Sequence, residues 1–223
     1  MSEIIVLYEG YSILNKNDEI TAESINNETG KDQMTANCSC TLIKGAHNVI
    51  VDTMTAWDSE KIVTALQKQQ ITPKQINYVV STHGHSDHIG NNNLFLKAKH
   101  IVGFSVSFKD CYYIHGFDKG EEYVINNSIK IIPTPGHTLS DVSVIVQTPL
   151  AETVAVTGDL FERFEDIENP SIWLEAGSEN PILQMKNRSR VADMADWIVP
   201  GHGPKFEVTH EIRSSLKTQA GSS

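Results

Sequence analysis

The apolar positions of this chain fall into two rhythms, and each rhythm predicts a different element. Short runs rich in β-branched and aromatic residues read as strands: EIIVLYEGYSIL over residues 3 to 14, NCSCTLIKG, HNVIVDT and INYVVST, then HIVGF, EEYVI, SIKIIPT, DVSVIVQT and TVAVTG. A Gly-Ala step between NCSCTLIKG and HNVIVDT predicts a hairpin, and Asn126-Asn127 predicts a turn. Helical spacing is rarer. After Ser59, residues Ile62, Val63 and Leu66 form one stripe that Pro73 ends, residues 179 to 194 are helix-like, and EIRSSLKT predicts a last, weak helix. A short helix is expected after the histidines at 83 to 88, where Ile89, Leu94 and Phe95 supply the apolar side. WIVPGHG reads as a strand running into a loop, and the polar stretch from 15 to 32, which has no periodicity, as a surface loop.

Helices at the sequence ends of two β-rich blocks imply the α/β class, with two mixed β-sheets packed together and flanked by helices, a four-layer αββα sandwich. The 223 residues suffice for one sizeable core, so a single domain is expected over 1–220 with 221–223 as a tail.

Charge and cysteine content narrow the picture. Lys plus Arg number 18 against 28 Asp plus Glu, a net −10, which excludes a broad positive field for nucleic acid. No apolar stretch approaches the roughly 20 residues of a membrane span, and MSEIIVLYEG lacks the basic region and cleavage site of a signal peptide. An intracellular protein, cytoplasmic or nuclear and not secreted, is the expectation. The three cysteines cannot all pair in one chain, so no disulfide framework is expected. Cys38 and Cys40, two apart on a strand, are expected to share one face and pack in the core.

The chemistry lies at the ends of predicted strands. Five of the nine histidines fall in HGHSDH (83 to 88), TPGHT around His137 and PGHG around His202. Four metal-competent side chains within six residues have no packing use, and burying them without a partner costs several kcal/mol. Imidazole and carboxylate are the donors of borderline divalent cations. Asp159 in TGDLF, again at a strand end, has two oxygens and can bridge two ions. We assign His83, His85 and His137 to one metal, Asp87, His88 and His202 to a second, and Asp159 to both. Two cations about 3.5–4 Å apart would hold a water as nucleophile, with Asp87 the catalytic residue that passes a proton to the leaving group.

These motifs, in this order, resemble the metallo-beta-lactamase superfamily, and the resemblance covers nearly the whole chain. It implies the αββα fold and up to two zinc ions at the seven positions named, with iron or manganese compatible with the same donors. The stretches VVSTHGHSDHIGN, TPGHTLSDVSVIV, GDLFER and ADWIVPGHGPKF resemble most a branch regarded as endoribonucleases acting at the 3′ end of histone pre-mRNA. That resemblance implies RNA as the partner, and a homodimer. One departure is Met54 after VDT, where the superfamily usually shows Gly, and Asp52 is expected behind the motif loop, orienting it.

For RNA, Arg163, Arg188 and Arg190 are the candidate phosphate contacts. Tyr112, Tyr113 and Phe117 could stack bases, although core packing is the expected role. The alternative substrate is a small thioester or other acyl compound, cleaved as in glyoxalase II. Only 21 residues follow His202, which leaves no room for the helical substrate domain of those enzymes. A non-catalytic protein with a structural metal is the third reading, and it would need a closed four-ligand site.

Overall fold

The computed structural model describes residues 2–15 and 33–221. The expected surface loop over 15 to 32 lies outside them apart from Asn15, as do 222–223 of the expected tail at 221–223, whose first residue, Gly221, instead ends the last helix.

Among the described residues, fifteen strands and five helices are ordered β1 (Glu3–Tyr8), β2 (Tyr11–Asn15), β3 (Gln33–Asn37), β4 (Cys40–Lys44), β5 (Val49–Val51), α1 (Ser59–Lys68), β6 (Tyr78–Ser81), α2 (Ser86–Ile89), β7 (Lys99–Val102), β8 (Ser105–Phe108), β9 (Cys111–Tyr113), β10 (Tyr123–Asn126), β11 (Ile129–Pro133), β12 (Val142–Gln147), β13 (Thr153–Gly158), α3 (Ser171–Glu175), α4 (Pro181–Met194), β14 (Trp197–Pro200), β15 (Phe206–Glu207) and α5 (His210–Gly221). A seven-stranded sheet runs β1-β4-β5-β6-β7-β8-β9 and a six-stranded sheet β10-β11-β12-β13-β14-β15, with β2 and β3 forming a separate ribbon. Both large sheets are mixed, because β5, β6 and β7 are parallel in the first and β13 and β14 in the second.

Side chains alternate across each strand, so every central strand feeds two cores. Val49, Val51, Val80 and Ile101 meet Ile131, Val144, Val156 and Val199 between the sheets. On the outer face of the first sheet Leu42, Ile50 and Val79 pack on Ile62 and Leu66 of α1. On the outer face of the second, Ile145, Ala155 and Ile198 pack on Val191 and Ala192 of α4 and on Ile212 and Leu216 of α5. The four layers are therefore helix, sheet, sheet, helix, and each fully buried aliphatic side chain contributes about 1.5–3 kcal/mol.

Three expectations change. The run over residues 3 to 14 is two strands: β1 pairs with β4, and β2 pairs with β3. The break falls at Gly10, where a Cβ would collide with the carbonyl oxygen of Gly201, so the chain passes tightly against the loop carrying His202. Tyr112 and Tyr113 are exposed rather than in the core, because β9 is an edge strand, whereas Phe117 is buried between the sheets. Pro73 does not end α1 directly. The helix stops at Lys68, and the chain reverses through Gln70 at φ 59° before Pro73 opens a single 3-10 turn.

Candidate metal centre

Strand ends converge on one rim of the sandwich. His83 follows β6, and His85 precedes α2, which carries Asp87 and His88. His137 lies in the loop from β11 to β12, Asp159 directly after β13, and His202 in the loop after β14. Hydrogen bonds between the sheets hold these loops together: the Val142 N–H donates to the Thr82 carbonyl at 2.9 Å, and the Ser39 N–H to the Gly201 carbonyl at 2.6 Å. At position 201 only glycine fits, since a Cβ there would collide with the Asp159 carboxylate.

The seven predicted ligands meet around Asp159. Its Oδ2 stands 3.6 Å from His83 Nε2 and 3.4 Å from His137 Nε2. His85 Nδ1 completes this group, 2.8 Å from His83 Nε2 and 3.1 Å from His137 Nε2. The other oxygen, Oδ1, is 3.2 Å from His88 Nε2 and 3.3 Å from His202 Nε2, the latter also lying 3.4 Å from Oδ2. Asp87 Oδ2 lies 3.8 Å from each of those two nitrogens. Each half brings its donor atoms within 4.8 Å of one another.

Hydrogen bonding accounts for only part of this convergence, because His88 Nε2 and Asp159 Oδ1 are buried with no hydrogen-bond partner among the described residues. Donors about 2.0–2.1 Å from a tetrahedral ion stand roughly 3.3 Å from one another, which is the spacing found here. The residues fit two divalent cations, one on each side of Asp159.

Several ring orientations are enforced from behind. Asp52 Oδ2 is 3.0 Å from His88 Nδ1, which aims His88 Nε2 at the centre. Asp52 also accepts from the Thr82 N–H at 2.7 Å and from Thr82 Oγ1, pinning the start of the motif loop. His202 Nδ1 faces the carbonyl oxygens of Asn37 at 3.0 Å and Tyr11 at 3.2 Å. Such outer partners fix tautomer and direction. Met54 and Asp52 both take left-handed φ, 56° and 55°. The buried Met54 thus holds a conformation that favours glycine, at a cost of about 1–3 kcal/mol.

Electrostatics differ around the ring. Burial, and then His88, drive the His83 imidazole well below its ordinary value, and burial lowers His137. Burial opposes ionisation of Asp159, but its imidazole neighbours, His88 first, hold it well below the usual carboxylate range. Burial works against a charge on His202, yet Asp159 pushes it up to about 9.

The three arginines take separate places. Arg188 is fully buried, so it contacts no substrate: its guanidinium grips Asp166 at 2.5 and 3.0 Å and the Leu160 carbonyl at 2.9 Å, and lies over the rings of Phe161 and Trp173. Arg190 is exposed, and its guanidinium donates to the Pro133 carbonyl. Arg163 is on the His202 side, its Cβ close to Gly203, with Nη1 donating to Ser12 and its side chain 30% exposed. Cys38 and Cys40 are fully buried, and burial pushes both thiols up, so they stay protonated packing groups.

Two sets of residues were not singled out from the sequence. Glu162, in the GDLFER stretch, is buried with one oxygen 3.9 Å from His202 Nε2. On α4, Gln184 Nε2 donates to the Asp159 carbonyl at 3.0 Å and Asn187 Nδ2 to the Pro135 carbonyl at 2.7 Å, so one helix ties down two ligand loops. The available signal was an acid three residues after Asp159 and the polar residues Gln184, Asn187 and Arg188, spaced three and four apart on the face that continues into the apolar Val191 and Ala192.

Comparison with known proteins matches residues 35–202 to the family described as Metallo-beta-lactamase superfamily. Metallo-beta-lactamase domain-containing protein 1 of Xenopus laevis is 39% identical over 191 residues, 85% of this chain and 80% of that protein. The Homo sapiens protein of the same name is 40% identical over 175 residues, 78% of this chain and 64% of its own. The chain thus spans less than two thirds of the human relative's length. A solved structure from Thermotoga maritima superposes with a TM-score of 0.63 at 20% identity, over 92% of this chain and 99% of that one, a likeness of fold. Among the described residues no helix is long and apolar enough to cross a membrane.

Proposed function

The chain belongs to the metallo-beta-lactamase superfamily, and from that premise we propose that it is a dinuclear metal-dependent hydrolase, with zinc the expected metal and an RNA phosphodiester the bond it breaks. The observation that carries the hydrolase reading is Asp159, whose Oδ2 faces the His83 and His137 nitrogens with His85 alongside, whose Oδ1 faces His88, and which has His202 Nε2 within reach of both oxygens. A structural site would close around one ion with four ligands, whereas seven donors leave room for water and substrate. When bound, the cation pair supplies Lewis acidity and makes water acidic enough to ionise near neutral pH.

The protein's own residues do the rest. Asp87 is the ligand-ring acid that reaches solvent, its side chain 18% exposed, so its Oδ atoms can take a proton from the attacking water and return it to the leaving oxygen. Asp52 and the Asn37 carbonyl keep the Nε2 atoms of His88 and His202 turned inward. Gln184 and Asn187 fix the backbone beneath Asp159 and before His137, and the orientation of the donors costs nothing further when substrate arrives.

The RNA reading is supported by the sequence resemblance, and locally by Arg163, whose Cβ lies close to Gly203, beside His202. A second reading, a small acyl substrate such as a thioester, is favoured by exposed apolar groups close to the centre: Leu139, two residues past His137, and Tyr11 and Ile13, on the strand whose carbonyl faces His202. Homodimer formation follows from the same resemblance and is part of the proposal.

The test is turnover by metal-quantified protein on single-stranded RNA, single-stranded DNA and acyl thioesters, with His85→Ala as the blank for contaminating nuclease. We expect RNA cleavage that the variant lacks. Thioester turnover without RNA cleavage would replace the substrate assignment, and two bound cations with no turnover on any of the three would count against hydrolysis of these classes.

A further inference from the structure

Glu162 stands three residues beyond Asp159 and outside the seven-ligand pattern, yet the fold holds it against the centre. Its backbone N–H donates to Asp166 Oδ2 at 2.7 Å, and its carbonyl accepts from the His202 N–H at 2.8 Å. Asp166 is in turn locked to Arg188, so the backbone on which Glu162 sits is rigid. The residue is 2% exposed. Oε2 lies 3.9 Å from His202 Nε2, while Oε1 is buried with no hydrogen-bond partner among the described residues. An oxygen of Glu162, an oxygen of Asp159 and a ring nitrogen of His202 lie within 4.8 Å of one another.

Two acids buried side by side repel, and a buried carboxylate needs a cation or several donors to be tolerated. The neighbouring ring does not supply a donor from its far side, because His202 Nδ1 faces the Asn37 and Tyr11 carbonyls. What remains is the nitrogen aimed inward, shared with Asp159.

We propose that Glu162 is an additional anionic ligand on the His202 side of the centre, an eighth donor that the His83, His85 and His137 side does not possess. The inference rests on the dinuclear reading above. Its chemical consequence is asymmetry: with Asp87, Asp159 and Glu162 the His202 side is rich in oxygen donors, which favour harder divalent cations such as Mn²⁺, whereas the three-imidazole side favours Zn²⁺.

Glu162→Gln keeps the shape and removes the charge. Chelator-stripped wild type and variant are titrated with Zn²⁺ alone in buffered free-metal solutions, and bound metal is counted by mass spectrometry. The wild type is expected to take up two ions, and the variant to keep its first with unchanged affinity and bind its second at least tenfold more weakly. Second-ion affinity within twofold of wild type would overturn the proposal. A wild type that binds fewer than two ions would instead overturn the dinuclear reading, and this inference with it. Should the variant fail to fold, a crystal structure of Zn²⁺-loaded wild type decides. A Glu162 oxygen about 2.0–2.2 Å from the ion supports the assignment, and one beyond about 3 Å refutes it.

Discussion

The two oxygens of Asp159 look onto surroundings built on different plans. On the Oδ2 side are three imidazoles, of which His85 is exposed and His137 has an Nδ1 with no hydrogen-bond partner among the described residues. On the Oδ1 side both imidazoles are braced, His88 by Asp52 and His202 by two backbone carbonyls, and Asp87 and Glu162 stand alongside. On the first side His83 and His137 are buried, and Asn187 ties down the loop before His137. On the second, both imidazoles have a partner behind the ring and two further acids beside them. The second half is thus the more extensively braced, and the shared carboxylate couples the two.

The strongest way to break the contrast is to remove what the halves share. Asp159→Ala is expected to lower bound metal from two ions to fewer than one and turnover by about 10³-fold or more, read by metal analysis and steady-state kinetics. Arg188→Met comes next and acts from below. It leaves Asp166 buried without its partner, so urea denaturation should show a loss of about 3–5 kcal/mol. Stability unchanged by that substitution would mean that the buried pair does not hold the loop under Glu162.

Asp52→Asn sharpens the contrast, because the one ring that Asp52 itself contacts is His88, its other partner being Thr82 at the start of the motif loop. Second-ion affinity should fall about 10–100-fold while the first ion binds as before, and equal weakening of both would show that the halves are not separately supported. The smallest effect belongs to Asp58, away from the centre. Asn37, Thr55 and Lys61 donate to its carboxylate at 2.7, 2.5 and 2.6 Å and lower its pKa although burial works against them. A lowered folded value means the gain is present above the unfolded carboxyl range, near about 4, and is lost as pH falls through the folded value. Asp58→Asn should therefore flatten the acid limb of a stability-against-pH curve by less than about 1 kcal/mol, with metal uptake at pH 7 unchanged.

What could be read from the sequence, and what could not, divides along the same physical line. Strand ends and metal donors announce themselves through residue type: the β-branched runs, and histidines spaced in HGHSDH, TPGHT and PGHG, have few other uses, and the structure brings all seven named side chains together. The four-layer fold was legible for the same reason, since the apolar runs mark strands buried on both faces.

Long-range partners were not legible. Arg188 and Arg190 looked like free cations because sequence does not show that Asp166 lies under one and the Pro133 carbonyl beside the other. Glu162 was hidden in the same way, as an acid whose neighbours come from a loop 40 residues later. The break at Gly10 depends on a contact with Gly201, at the far end of the chain. Tyr112 and Tyr113 have the composition of a core strand and an edge position that only the sheet order reveals.

The most direct test of the dinuclear centre is the metal-to-protein ratio of stripped protein dialysed against Zn²⁺, measured for wild type, His85→Ala and His202→Ala. Two ions per chain in the wild type and one in each variant is the predicted result. A ratio of one in the wild type, or two retained in either variant, would contradict a centre whose halves are divided by Asp159.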